Sequence, residues 1–576
     1  MPGLRDENLT WLRDNAIFDV IVVGGGINGI GVFRELCLQG LRILLVERDD
    51  FCSGCSAAPS RMIHGGLRYL ENGEFGLVRE SLRERDALLV NAPHMVRPLP
   101  TMIPITTVFS GLLNGAAGLL GLGGRPARRG ALPVKIGLSL YDWVTRRRRL
   151  LPRHVFRGAA QTLRKWPNLA PTLKFSATYH DAWISYPERL GVELVLDGLQ
   201  LSPQSVALNH AEIRPDGAAF TVTDRQSGEI LRANAKAVVN ATGAWLDETI
   251  VRLNGEAGAA GALVSGTKGS HLIIDNAELL EALGGHMVFF ENSDSRVCIA
   301  FPYLGRVLAG STDIRVKRVS RVRCEDTERD YILASLRLVF PDIPLSTGQI
   351  VYSYSGIRPL PRSDHDFTGR ISRGHFVHRL EGRVPQYCMV GGKWTTFRAF
   401  AEQTADRVLA DLALPWKAES IDIPIGGGKG FPADTAALAL ELAARHSITS
   451  SRAVYLIELY GTRAEELLRF CSLRNDDLPL GGGCATTAAE IAFLIRRELA
   501  AGLGDLLLRR TPLAIRGDIS TQIIDHVAEV AAVELGWSDE EKRRKIAEFI
   551  TELNDYHGVS REMLDQRTRD RSVECA

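Results

Sequence analysis

The sequence predicts an α/β protein in which a parallel βαβ domain is interleaved with an antiparallel sheet and followed by an all-helical C-terminal domain. Three observations carry this. A β-branched apolar run meets a glycine-rich turn and a helix near the N-terminus. Short strand-like runs with mixed signals occupy residues from about 150 to 350. After residue 431, apolar residues recur at helical spacing with few strand signals.

The first element, Phe18–Val23, reads as a buried parallel strand. It runs into Gly24-Gly25-Gly26-Ile27-Asn28-Gly29, then into helical spacing over Ile30–Gln39, and a second buried strand, Arg42–Val46, ends at Glu47. In this Rossmann-like unit Gly24 makes the turn, Gly26 admits backbone to a pyrophosphate, and Gly29 allows close helix–strand packing. The positive end of the helix faces the phosphates, with Asn28 in its first turn. Glu47 lies 18 residues beyond Gly29, placed to accept hydrogen bonds from a ribose diol. A glycine turn without a ligand needs neither the terminal acid nor this order.

Composition bounds the rest. The 576 residues include 69 basic and 68 acidic side chains, a net charge of +1, so no global field invites nucleic acid. With 45% apolar and 24% charged residues the chain is neither disordered nor fibrous. Nine Cys in this length do not make a disulfide scaffold, and a reducing compartment is expected. The N-terminal stretch lacks the continuous apolar run of a secretory signal, which makes the cytoplasmic side the default.

Further strands are expected at Phe220–Thr223, Ala237–Asn240 and His271–Ile274, a linker at Gly426–Gly430, and helices from about Thr435 to Tyr556. Val238–Gly243 is a strand ending in small residues, where Thr242 and Gly243 bring a second stretch of backbone to the cofactor. Gly391-Gly392-Lys393-Trp394-Thr395-Thr396 opens a helix running to about Leu412. A helix N-terminus beside a flavin stabilises the charge that builds on its reduction. A simple NAD domain needs neither segment, and together they favour FAD.

In order along the chain stand Gly24–Gly29, Ile63-His64-Gly65-Gly66-Leu67-Arg68-Tyr69-Leu70, Asn240–Gly243, Lys268-Gly269-Ser270-His271, Ser355–Leu360 and Gly391–Arg398. This series resembles the FAD-dependent glycerol-3-phosphate dehydrogenase family, within the D-amino-acid-oxidase-like flavoproteins. The likeness spans nearly the whole chain. It implies an FAD-dependent oxidoreductase over 18–425, with FAD-binding segments at about 18–100, 190–245 and 355–415, and a helical domain over 431–576. FAD contacts are expected at Gly24, Gly26, Asn28, Gly29, Glu47, Ser60, Arg61, His64, Gly65, Gly66, Thr242, Gly243, Lys393, Thr395 and Thr396.

The substrate that the resemblance implies is sn-glycerol 3-phosphate, or another polyol phosphate such as a tetritol phosphate. A phosphomonoester carries about −1.5 to −2 charges at neutral pH, and burying it calls for fixed cations, Arg above all. Arg68, Arg358, Arg373 and Lys393 match the family's basic positions, with Tyr69 and Thr395 beside them. Oxidation of a secondary alcohol also needs a base for the hydroxyl proton, a role suited to histidine. His271, at the start of an apolar strand and expected to project from a sheet edge, is the first candidate; His64 is expected on the flavin side. An amine or amino-acid oxidase of the same fold would bind a carboxylate and need fewer cations, and a flavin protein without catalysis would not need these motifs.

Two stretches depart from the family pattern. The loop Cys52–Arg61 carries fewer hydroxyls than typical relatives and has Arg61 where they carry Lys. Trp183–Leu190 replaces an acidic stretch. Cys52 and Cys55 form an isolated C-x-x-C, read as two small loop residues and not as a zinc site. Residues 105–124 are about the length of a spanning helix, with a buried core helix, an interfacial element and a true span as the options. Basic clusters at Arg125, Arg128, Arg129 and Arg146–Arg149 suit an anionic inner leaflet. A membrane quinone is the expected electron acceptor, with oxygen as the alternative, and attachment to the inner face of the cell membrane follows. The oligomeric state is left open, a homodimer among the options.

Overall fold

The structure, a computed structural model, describes residues 3–66, 74–108, 130–144, 150–255, 261–292, 294, 296–363, 371, 373–481 and 483–574. Two sheets organise it. In the first, β1 (Ile17–Val23) lies between β2 (Ile43–Val46) and β3 (Ile230–Asn240), all parallel. Val206–Leu208 extends the sheet beyond β2, and Gln386–Gly391 extends it beyond β3. β2 is buried on both faces, as a parallel strand covered by helices must be, which is why it reads as an unbroken apolar run. The helix Ile27–Leu38 starts at the glycine turn and packs against the helix Phe397–Asp411.

Among the described residues the second sheet has ten strands and is largely antiparallel. Its centre is β4 (Val264–Ile274), paired on one side with β5 (Arg306–Gly310) and along its length with β6 (Ile350–Pro361). The register sets His271 opposite Gly310 on β5 and Tyr354 on β6, and Thr267 opposite Arg358. The expected sheet edge is therefore corrected: His271 lies between two neighbours and is fully buried. β6 also belongs to this sheet, as do Met62–Ile63 and Val96–Ile105, so the chain crosses between sheets inside two of the expected FAD segments. The cause is pairing: the antiparallel match of β6 to β4 runs from Val264 to Ile274, too long a ladder to break at a domain boundary.

Beyond residue 434 the chain is helical, from Thr435–His446 to Arg561–Glu574. It is not a detached unit. Leu456, Ile491, Leu494 and Val527 share one core with Ile30, Phe33 and Val195 of the first domain. Gly426–Gly430 is likewise no loose linker: Gly427 packs so closely on Tyr460 that a Cβ there would lie 1.9 Å from its carbonyl oxygen. Both departures have the same cause, apolar faces on the C-terminal helices that have no other surface to bury against.

Residues 109–129 and 145–149 lie outside the described residues, and with them most of the apolar run and its basic flanks. Among the described residues no helix is long and apolar enough to cross a membrane.

Candidate active site

The glycine turn is built by contact. Gly24 has φ of +105°, and a Cβ at Gly29 would stand 1.9 Å from the Gly24 carbonyl oxygen. Gly26 differs, because a Cβ there would meet only the Ser56 hydroxyl. It faces a cavity of about 570 Å³ whose lining includes Gly24, Asn28, Glu47, Thr242, Gly243 and Trp245. Glu47 accepts the amides of Gly25 (2.6 Å) and Asp49 (2.8 Å), which fixes its carboxylate at the end of β2, and burial raises its pKa.

Two buried polar atoms have no hydrogen-bond partner among the described residues: Asn28 Oδ1, from a residue on the cavity lining, and Thr396 Oγ1. Asn28 donates to the Gly391 carbonyl oxygen (3.3 Å), so the glycine turn and the Gly391–Thr396 segment meet across the sheet. A dinucleotide laid over Gly26 and continuing towards Thr396 would satisfy these acceptors. The residues present fit FAD.

The remaining motif segments carry two imidazoles and three cations, His64, His271, Arg358, Arg373 and Lys393. The His271 Nε2 lies 2.9 Å from the Ser60 hydroxyl, and its ring stacks on Tyr354 at 5.0 Å between centroids. Gly310 makes room for that ring, since a Cβ would lie 2.4 Å from it. Burial lowers the His271 pKa well below its ordinary value, and Arg358 and Arg61 add to the effect. His64 is depressed to about 3 by burial, with Lys393 and Arg373 contributing. Both imidazoles are therefore neutral at pH 7.

Arg358 explains the glycine of Lys268-Gly269-Ser270-His271: its guanidinium crosses Gly269, where a Cβ would lie 2.0 Å from Nη2. It donates to the Ser311 hydroxyl (3.1 Å) and to Asp313 (3.2 Å), and Arg373 reaches the same carboxylate at 3.8 Å. The Arg358 and Arg373 side chains keep about a fifth to a quarter of their surface exposed (21% and 26%), so they are neither sealed off nor turned into bulk solvent. Lys393 donates to the Ser81 hydroxyl (2.8 Å); burial lowers its pKa to about 7, opposed by Glu80 and Glu74. Arg358 lowers the His271 pKa, Arg373 lowers those of Arg358, Lys393 and His64, and Lys393 also lowers that of His64, so these groups lie within electrostatic reach of one another.

Most of the residues that the motifs indicate thus come together. Thr395 is buried, with its hydroxyl accepting the His64 amide at 3.3 Å. The Gly65 amide donates to Asp181, and Gly66 has φ of +77°. Arg68 and Tyr69 lie outside the described residues. Arg61, expected as an FAD contact, has its side chain engaged within the protein. Its guanidinium makes a bidentate pair with Glu188 (2.7 and 2.8 Å) and lies over the rings of Tyr303 and Tyr354. Being fully buried, it must use its donors on the nearest carboxylate. The two sequence departures, Arg61 and Trp183–Leu190, are thus halves of one ion pair. Ser60 turns its hydroxyl to His271. Cys52 and Cys55 are free, and burial raises both thiols.

Sequence reasoning missed Asp313, Glu188 and Tyr354. Asp313 follows β5 in Gly310-Ser311-Thr312-Asp313, a strand end close in space to Arg358, but nothing in the local sequence announces that proximity.

Residues 19–407 match the family described as FAD dependent oxidoreductase, and residues 419–542 match the C-terminal domain of alpha-glycerophosphate oxidase. A relative from Synechocystis sp. named glycerol-3-phosphate dehydrogenase is 33% identical, with 93% of this chain and 96% of that protein covered. A Brucella abortus relative named D-erythritol 1-phosphate dehydrogenase is 30% identical over 86% of this chain and 94% of its own length. Among solved structures, a glycerol-3-phosphate dehydrogenase from Bacillus halodurans complexed with FAD superposes with a TM-score of 0.74 at 25% identity, covering 96% of this chain and 97% of that one.

Proposed function

Because this chain belongs to the FAD dependent oxidoreductase family and also matches the C-terminal domain of alpha-glycerophosphate oxidase, we propose that it oxidises sn-glycerol 3-phosphate to dihydroxyacetone phosphate. The observation that carries the reading is the joined electropositive site: Arg358, Arg373 and Lys393 beside two neutral imidazoles. Bound FAD supplies the hydride acceptor. The protein supplies the rest. The two guanidinium forks and the Lys393 ammonium hold the dianionic phosphate. Asp313 pairs with both arginines and partly neutralises them until substrate arrives. Held by Ser60 and Tyr354, the His271 imidazole takes the C2 hydroxyl proton, while His64 and Thr395 shape the flavin side.

A second reading, the same chemistry on a tetritol phosphate, is favoured by the Arg61–Glu188 pair, which alters the loop that presents Ser60 to His271. The test is anaerobic bleaching of the flavin band by a panel of substrates: glycerol 3-phosphate, erythritol phosphates, unphosphorylated glycerol and amino acids. Bleaching by glycerol 3-phosphate at the highest kcat/KM is expected. Preference for a tetritol phosphate selects the second reading, and bleaching by amino acids alone refutes both.

In this reading electrons leave to a membrane quinone, and the chain binds the membrane surface from the cytoplasmic side. The helix Ala131–Val144 supports attachment. Its Val134, Leu138 and Tyr141 are buried, whereas Leu132, Ile136 and Leu140, spaced four apart, form an exposed apolar stripe. A stripe of this kind, with basic residues just beyond it in sequence, suits an anionic interface. Co-sedimentation with anionic vesicles is expected at low salt, weakened by high salt and by Ile136→Glu. Failure to pellet with vesicles at low salt counts against attachment.

A further inference from the structure

The cavity over Gly26 has a second wall, and it comes from the C-terminal helices. Gly502, Leu503 and Asp505 line it from the start of the helical segment that runs to Arg510, and Lys545, Phe549 and Glu552 line it from the helix Asp539–His557. None of these belongs to a dinucleotide-binding motif. Beneath the wall sits a buried ionic cluster. Asp50, three residues beyond Glu47, accepts both terminal nitrogens of Arg510 (2.7 and 2.9 Å) and the Nε of Arg509 (2.5 Å). Arg509 donates to Asp505 (2.8 Å), which also pairs with His210 (2.9 Å). His210 in turn donates its amide to Asp49 (2.7 Å), and Asn209 bridges Asp50 and the Leu499 carbonyl oxygen.

Asp50, His210 and Asp505 stand close enough together to hold a metal ion. Two guanidinium groups already neutralise the carboxylates, so the cluster is a fastener. A buried ionic cluster adds little net stability, because desolvation offsets attraction, but it fixes geometry and is strongly destabilised when one partner is lost. What it fixes here is the segment Glu47–Asp50, with its expected ribose acid, against the helical segment Asp505–Arg510 that walls the cavity.

We propose that the C-terminal helices form part of the FAD site: through Asp50, Asp505 and Arg510 they position the Glu47 segment, and through Gly502–Asp505 and Lys545 they close the cavity over the dinucleotide. Asp50, Asp505 and Arg510 are positioning residues, and the C-terminal domain is a determinant of cofactor retention. The proposal rests on FAD as the cofactor and not on the identity of the substrate, so the test reads no turnover.

Two measurements check it. Hydrogen exchange is compared for the wild-type protein with and without FAD, with slower exchange expected in residues 499–510 and 545–552 as well as around Gly24–Asn28. Titration of apoprotein with FAD, followed by flavin fluorescence, is expected to give a Kd raised about tenfold or more in Arg510→Gln, equivalent to about 1.4 kcal/mol or more, with partial recovery in Arg510→Lys. Lys545→Glu, at the partly exposed rim, covers the case in which Arg510→Gln fails to fold; its Kd is also expected to rise. Protection confined to the first domain, or a wild-type Kd in folded Lys545→Glu and Arg510→Gln, overturns the proposal and leaves the cluster as an interdomain tie alone.

Discussion

Replacement of His271 by alanine is expected to slow anaerobic flavin reduction by glycerol 3-phosphate by about 10²–10⁴-fold, the usual span for a lost general base, with the FAD content unchanged. The ring is held on three sides, by Ser60 through Nε2, by Tyr354 through stacking and by the space left at Gly310. A base held this firmly loses no orientation when the substrate arrives. Its depressed pKa keeps it neutral and able to accept a proton, and the incoming dianionic phosphate raises its basicity towards working pH. The sign for pH follows. A base whose pKa lies below the ordinary histidine value stays competent as pH falls through that value, so the acid limb of the rate lies below about pH 6.5. The limb is read in kcat/KM, which reports the free enzyme's base, after correction for the substrate's own phosphate ionisation near about pH 6. Ser60→Ala, which removes only the orienting hydroxyl, is expected to have a smaller effect in the same direction. An unchanged reduction rate in His271→Ala would move the role of base to His64.

The first domain was legible because its signals are local: a strand, a glycine turn, a helix and a terminal acid within thirty residues. The motif residues were legible for the same reason, and Gly269, Gly310 and Gly391 turn out to be glycine because an arginine, a histidine and a backbone carbonyl occupy the space of their missing Cβ atoms. What stayed hidden were partners far apart in sequence. Arg61 and Glu188 each looked like an isolated departure, because a charge in a loop says nothing about the charge that will face it from a helix more than a hundred residues later. The placement of His271 failed differently. An apolar run after a polar motif reads like a strand beginning at the surface, whereas β4 begins seven residues earlier, through Gly266 and Gly269, which are small because neighbouring side chains lie across them. The C-terminal helices were legible as helices, but the surface they cover was not, since an apolar stripe does not name what buries it.

Arg358→Ala is expected to raise the KM for glycerol 3-phosphate and to lower kcat/KM by about 30- to 4,000-fold, corresponding to about 2–5 kcal/mol for a truncated, hydrogen-bonded charge pair. FAD affinity should not change. Lysine is expected to rescue little, because the fork that matches two phosphate oxygens is replaced by a point charge. Gly269→Ala offers an independent check: it leaves every charge in place and displaces the guanidinium, so it should reproduce part of the KM effect. Inhibition by inorganic phosphate should weaken in step, since the same clamp grips it. The Lys393 contribution adds a pH term of defined sign. With a pKa near 7 in the free site, the ammonium loses its proton as pH rises through neutrality, so phosphate affinity should fall and KM climb on the alkaline side. Bound phosphate holds the proton on, so kcat should move less than KM. Loss of turnover in Arg358→Ala with KM and phosphate inhibition intact would remove Arg358 from the phosphate clamp, and the polyol-phosphate reading would lose its principal support.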